Sequence, residues 1–206
     1  MQALRWPHWR GGLWALLFVV GVAAVACGGK RRADEPPADV VGLRTVAERD
    51  GEWLEHPGAG FRFRHPGPEY QLESALHASL GEQAFLLRNA RARSSLFVEV
   101  MGASGIADAA ALRGFRAVLG RGPTAAGQRN GVDSEDIIDG RTPVLQARGY
   151  MAGVPMVARA IVIQASPTER HVVGLVAVGP RPEDLAAVLD SLRPTAPAAA
   201  ARGAGQ

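Results

Sequence analysis

The chain has 206 residues, of which 47% are hydrophobic and 21% are charged, a balance typical of a globular protein. Its length predicts one domain with short tails. The 23 basic residues exceed the 20 acidic ones only slightly, and two of the basic ones, Arg5 and Arg10, lie in a segment that we expect to be removed. Such a balanced charge lacks the basic footprint of a nucleic-acid-binding protein, so we expect no nucleic-acid partner.

The first 26 residues have the pattern of a secretory signal peptide. Residues 1–10 contain two arginines and no acidic residue, and residues 11–26 form an uncharged, mainly apolar run. At about 1.5 Å of helical rise per residue, this run is shorter than the ~30 Å hydrocarbon core of a bilayer. The pattern therefore predicts a cleaved leader and not a permanent transmembrane anchor.

The leader ends at Ala24-Val25-Ala26-Cys27, where small side chains precede the only cysteine of the chain. This sequence resembles the bacterial lipobox, although Ala24 replaces the leucine usual at that position. The resemblance implies cleavage before Cys27 and attachment of diacylglycerol to its thiol. Several acyl chains give stable anchoring, so we expect a lipid-anchored protein of the cell envelope. Gly28 replaces the aspartate associated with inner-membrane retention, which favours the outer membrane of a two-membrane host.

The mature chain divides into three parts. Residues 27–51 hold the lipidated cysteine followed by glycines, two prolines and mixed charges, which predicts a flexible tether. Residues 52–194 have the apolar periodicity of a folded domain. Residues 195–206 are rich in alanine and glycine, and we expect them to form a disordered tail.

Strand patterns dominate the expected domain. Residues 60–64 alternate phenylalanine and arginine, which predicts a half-buried strand, and residues 83–88 and 96–101 predict a hairpin. Three longer β-rich runs separated by short turns predict an antiparallel meander: 143–151, 154–164 and 170–178. Apolar residues occupy both faces of the last two runs, so we expect helices on both sides of one sheet.

Two amphipathic helices complete the pattern. Residues 111–119 have apolar side chains at helical spacing behind Asp108, which is placed to cap the helix. A second helix is predicted from Pro182, and its apolar stripe consists of Leu185, Val188, Leu189 and Leu192. The predicted fold class is therefore α+β, with a central antiparallel sheet and helices packed on it.

Three stretches mark this order of elements: Gly60-Phe61-Arg62-Phe63-Arg64-His65-Pro66, then Gly140-Arg141-Thr142-Pro143, and finally the run from Leu185 to Pro194. The order resembles the PsbP-like fold, which a photosystem subunit shares with small bacterial lipoproteins of the DcrB kind. The resemblance implies a non-enzymatic accessory or protein-binding role, with an envelope protein as partner. The alternative is a small-ligand carrier with an apolar pocket between sheet and helix, lined by Phe61, Phe63, Phe97 and Phe115.

The chain shows no catalytic motif. Gly102-Ala103-Ser104-Gly105 lacks the spacing of a nucleophile elbow, and the only lysine, Lys30, lies in the expected tether and not in a phosphate-binding loop. We therefore expect neither a catalytic site nor a cofactor.

Polar side chains form three weaker candidate groups. His56 and His65 occupy His-Pro-Gly turns at the two ends of the first strand, ~30 Å apart, and we expect exposed turn histidines, not metal ligands. An acidic group lacks the turn glycine of a calcium loop and predicts a solvated loop or strand edge: Asp133, Glu135, Asp136 and Asp139. Four arginines on predicted strands are expected to be ordinary surface charge: Arg62, Arg64, Arg148 and Arg159.

Overall fold

The computed structural model describes residues 42–77, 83–119, 128–138 and 142–195. The strands in these residues are β1 (Arg44–Glu48), β2 (Gly51–His56), β3 (Phe61–Arg64), β4 (Gln71–His77), β5 (Gln83–Asn89), β6 (Ser94–Gly102), β7 (Gly131–Ile138), β8 (Val144–Met151), β9 (Val154–Gln164), β10 (Arg170–Val178) and β11 (Arg193–Pro194). The helices are α1 (Asp108–Leu119) and α2 (Ala186–Asp190), and a 3₁₀ turn at Pro182–Leu185 leads into α2.

The strands form two antiparallel sheets. The smaller has four strands in the order β1-β2-β3-β11, and the larger has seven in the order β4-β5-β6-β10-β9-β8-β7. This order places β10 at the centre of the larger sheet, between β6 and β9. Residues 172–177 of β10 are buried on both faces, as the continuous apolar run there predicts.

Helix α1 covers one face of the seven-stranded sheet. Its buried side chains are Ala111, Leu112, Phe115 and Leu119, which pack against small residues of β9 such as Ala158 and Ala160. Gly174 of β10 lies under the ring of Phe115, and a Cβ atom at Gly174 would come within 2.0 Å of Phe115 Cζ. The missing side chain at this position therefore lets the helix approach the sheet closely.

The four-stranded sheet and α2 cover part of the opposite face. Phe61 and Phe63 of β3 are fully buried in a core that includes Ile161 and Ile163 of β9. The predicted C-terminal stripe joins this core, with Leu185, Leu189 and Leu192 buried and Val188 partly buried. The smaller sheet thus lies on the larger one with phenylalanine side chains between them.

The predicted α+β architecture, with helices covering both sides of a PsbP-like sheet, is wrong. The fold is mostly β, with two sheets and only two short helices in the described residues. The second face of the large sheet is closed mainly by another sheet. Apolar residues on both faces of β9 and β10 require two cover layers, but that pattern does not distinguish a helix from a strand as the cover.

The expected tether also extends too far along the chain. Leu43 is buried, and residues 44–48 form β1, which pairs with β2 over five residues. Burial along β1 follows no strong apolar alternation, because only Val46 is half-buried and its neighbours are exposed. Backbone pairing stabilises this strand, so apolar periodicity did not reveal it.

Several predicted elements are confirmed. The strands β5 and β6 form a hairpin, and β8, β9 and β10 form the antiparallel meander. Helix α1 begins at Asp108 and buries the predicted apolar face except for Val118, which is exposed. No helix in the described ranges is both long and apolar enough to cross a bilayer. The predicted leader, Cys27 and residues 196–206 lie outside those ranges.

Candidate functional site

The outer face of the four-stranded sheet carries an unusual group of side chains. Along β2 and β3, the inward residues Leu54 and Phe63 alternate with Trp53 and Arg64, which point outward because successive side chains of a strand alternate between faces. The register places Trp53 opposite Arg64 on the neighbouring strand. An aromatic ring and several charged side chains therefore share the outer face of this sheet.

Three guanidinium groups surround the ring of Trp53. Their central carbons lie 4.7 Å (Arg62), 5.5 Å (Arg64) and 4.1 Å (Arg193) from the ring centroid. Arginine stacks well on an indole ring, through attraction between the cation and the π face. Trp53 is only 2% exposed, although it points away from the core, and the three arginines lie against its ring. We call these four residues the Trp53 cluster.

Carboxylates hold two of these arginines in place. Asp50 accepts a hydrogen bond from Trp53 Nε1 at 3.1 Å and one from Arg64 Nη2 at 3.0 Å, and Glu48 pairs with Arg62. The hydrogen bond from Trp53, together with the one from Arg64, holds the pKa of Asp50 below the usual 3.8. Among the described residues, no carboxylate lies within ion-pair distance of Arg193. The cluster therefore has one cation without a carboxylate neighbour.

Two shallow clefts border α2, and Asp190 lies between them. One, of about 440 Å³, adjoins the Trp53 cluster and includes Ser191. The other, of about 300 Å³, lies on the uncovered part of the large sheet, beside Arg148 and Arg159. Arg159 donates to Asp190 Oδ1 at 2.9 Å, and its buried Nε has no partner in the described part of the chain. Both clefts are open, and polar and apolar side chains line them together.

The histidine prediction is wrong for His56. Residues 51–64 form a hairpin and not one strand, and His56 lies inside it, only 5% exposed. Its Nδ1 accepts a hydrogen bond from the Ala59 amide at 2.9 Å, and its ring stacks on Phe61 at 5.4 Å between centroids. His65 is half-buried and accepts from the Gly67 amide at 3.1 Å. Within the described ranges, no three His, Cys, Asp or Glu side chains are grouped to hold a metal ion.

The acidic group lies along β7, the edge strand of the large sheet. Asp133 pairs with Arg129, and Glu135 pairs with Arg116 of α1, so each of these carboxylates has its own arginine partner. Asp136 lies opposite Gln146 on β8, and Asp139 lies outside the described residues. Of the four predicted arginines, Arg62 and Arg64 meet at Trp53, whereas Arg148 and Arg159 lie on the larger sheet.

The four phenylalanines proposed for a carrier pocket do not meet. Phe61 and Phe63 belong to the core between the two sheets, whereas Phe97 and Phe115 belong to the core under α1. The large sheet separates the two groups. The structure therefore brings these residues into two packed cores and not around a common cavity.

Trp53 is the functional candidate that the sequence analysis missed. It lies just after the expected tether, in the segment Glu52-Trp53-Leu54-Glu55, where two adjacent apolar residues stand between glutamates and no alternation indicates a strand. The arginines around it come from β3 and from β11, far along the chain. Only the pairing of these strands brings the cluster together.

The chain matches no family model and no curated protein.

Proposed function

We propose that this chain is a lipid-anchored protein of the bacterial cell envelope, and that its domain binds a protein partner through the Trp53 cluster without catalysing a reaction. The anchor rests on the signal-like leader and on Ala24-Val25-Ala26-Cys27, which ends in the only cysteine. The binding role rests on one observation, the stacking of three arginines on Trp53 at the outer face of the four-stranded sheet.

Tryptophan and arginine are the residues most enriched where binding energy is concentrated in protein interfaces. In the Trp53 cluster, stacking and ion pairs already hold the arginine side chains, so binding would immobilise fewer rotamers than it would for free arginines. Arg62 and Arg64 have carboxylate partners in the chain, and Arg193 has only the ring in the described residues. The partner that fits this surface presents a carboxylate to Arg193 and polar groups around it.

The expected anchor allows such an encounter near a membrane. Fourteen residues, 28–41, separate the proposed lipidation site, Cys27, from the first described residue, Gly42. An extended chain spans at most about 3.3–3.6 Å per residue, so this segment reaches roughly 50 Å. The partner we propose is therefore an envelope protein in the same membrane or close to it.

Co-purification from solubilised membranes tests the proposal when the surface is varied. The triple variant Arg62→Ser, Arg64→Ser, Arg193→Ser removes the cations, whereas the control Arg113→Ser, Arg181→Ser removes two exposed arginines elsewhere. We expect one protein to be retained by the unmodified chain and by the control but lost from the triple variant. Thermal melts establish that both variants are folded. Equal retention by all three chains would place the binding surface elsewhere.

A further inference from the structure

The edges of the two sheets differ in their protection against pairing with another chain. The edge strand β4 has a register shift between Leu72 and Ser74, and β7 has one between Val132 and Ser134. The edge strand β11 has two residues and ends in Pro194. Bulges, prolines and very short strands all hinder edge-to-edge pairing. Among the edges in the described residues, only β1 has none of these three features.

The strand β1 is an intact edge. Its five residues pair with β2 without a register shift, and its side chains are exposed apart from the half-buried Val46. The backbone groups on its outer edge have no neighbouring strand within the described part of the chain. Unpaired N–H and C=O groups in a row are a template for adding a strand.

The sequence of β1 is complementary to itself. It runs Arg44-Thr45-Val46-Ala47-Glu48, with a cation at one end, an anion at the other and valine at the centre. An antiparallel pairing centred on Val46 would place each Arg44 opposite Glu48 of a second copy. Opposite charges across a ladder stabilise the pair, whereas a parallel in-register pairing would place like charges together.

We propose that two copies of this chain associate through their β1 strands, paired antiparallel about Val46, so that the two four-stranded sheets become one continuous sheet. Such a contact is isologous, because the same strand serves both copies, and it closes at two subunits. Arg44 already pairs with Glu55, and Glu48 with Arg62, on the outer face. The new contacts would join these pairs into charge networks that cross the dimer axis.

The expected dimer is weak in solution. Five paired residues bury far less surface than the roughly 1,200–2,000 Å² of a stable interface. Confinement of two anchored copies to one membrane would raise their effective concentration. The two β1 strands would begin about 13 Å apart at ~3.3 Å per residue, so both chains could leave the dimer toward the same membrane. The full chain in membranes is therefore the proper sample.

Cysteine cross-linking in membranes tests the register. Paired residues of an antiparallel ladder have Cα atoms about 4.5–5.5 Å apart, within the range of about 4.4–6.8 Å that a disulfide requires. Mild oxidation should therefore link Val46→Cys chains into dimers. Two copies of Arg44→Cys would be ~13 Å apart at ~3.3 Å per residue and should stay monomeric. Ile138→Cys, on the bulged edge β7, is the matched exposed control.

The chain with Cys27 alone separates this proposal from the proposed anchor. If Cys27 is lipidated, its thiol is blocked and this chain gives no disulfide dimer. If Cys27 is free, the control itself cross-links, the anchor proposal fails, and the test is repeated with Cys27→Ser in every variant. Thermal melts of each variant show that it is folded.

Charge reversal supplies the second test. Arg44→Glu or Glu48→Arg alone makes both end pairs repulsive and should reduce the cross-linking of Val46→Cys severalfold, whereas the two reversals together restore it. Equal linkage at Val46→Cys and Arg44→Cys would overturn the register. No linkage of folded Val46→Cys, as expected if another segment covers β1, would overturn the dimer.

Discussion

Gly174 sets the distance between α1 and the large sheet, and Gly174→Ala tests this contact. A Cβ atom there would lie 2.0 Å from Phe115 Cζ and 2.3 Å from Cε2, whereas non-bonded carbons normally approach to about 3.5–4.0 Å. Phe115 is fully buried, so its ring cannot turn into solvent. The helix would have to move away from β10 or the ring would have to leave its rotamer.

The expected loss of stability follows from two opposing effects. Overpacking a core usually lowers the free energy of unfolding by about 1–3 kcal/mol. Replacing glycine by alanine within a regular element raises the free energy of unfolding by about 0.5–1 kcal/mol, because glycine loses more backbone freedom on folding. We expect Gly174→Ala to lower the free energy of unfolding by about 1–2 kcal/mol. Urea denaturation followed by circular dichroism measures this change.

Gly102→Ala is the matched control, because a Cβ at this strand position meets nothing within 4 Å, and its stability should equal or exceed that of the parent. Phe115→Leu combined with Gly174→Ala should lose less than the sum of the two single changes, since the shorter side chain relieves the contact. A Gly174→Ala protein as stable as the parent would show that Phe115 does not rest on Gly174.

Three further predictions concern the closing segment, the Trp53 cluster and the anchor. Leu189 is 3% exposed, so Leu189→Ala should lower the free energy of unfolding by about 2–5 kcal/mol. A chain ending at Thr195 should melt at the same temperature as the full chain. A sharp fall in melting temperature on truncation would contradict this. Asp50 has a lowered pKa, so its stabilising effect is complete above the pKa of an unfolded aspartate and is lost as pH falls through the lower folded-state pKa. Asp50→Asn should therefore flatten the acid dependence of the free energy of unfolding. An unchanged slope in urea melts between about pH 2 and 5 would refute this prediction. Cys27→Ser should abolish membrane attachment or processing, and unchanged fractionation and size would argue against the anchor.

Local sequence patterns predicted the strands and the helix whose own residues form a periodic apolar face. The meander β8–β10, the hairpin β5–β6 and α1 all have clear periodicity, and the structure contains them. The fold class failed because part of the cover of the second face comes from β2, which contributes Leu54 to the core. The stability of β2 depends on pairing with β1 and β3, and no periodicity within residues 44–56 indicates this pairing.

The candidate surface was only partly predictable. Arg62 and Arg64 were recognised as outward residues of one strand, as the alternation with Phe61 and Phe63 indicates. Trp53 and Arg193 reach the same place through β2 and β11, and Arg193 is about 130 residues from Arg62 along the chain. Such a non-local cluster depends on strand order, and strand order could not be derived from the spacing of apolar residues. His56 was placed at the surface for the same reason, because the hairpin that buries it was not recognised.

The most direct test of the proposed anchor is the intact mass of the protein extracted from bacterial membranes, together with its N-terminal fragment. We predict a chain that begins at Cys27 and carries the mass of diacylglycerol and further acyl groups on that residue. Base hydrolysis should remove the ester-linked part of this mass. A mature chain with an unmodified Cys27, or one that begins at another residue, would contradict the proposal that this is a lipid-anchored envelope protein.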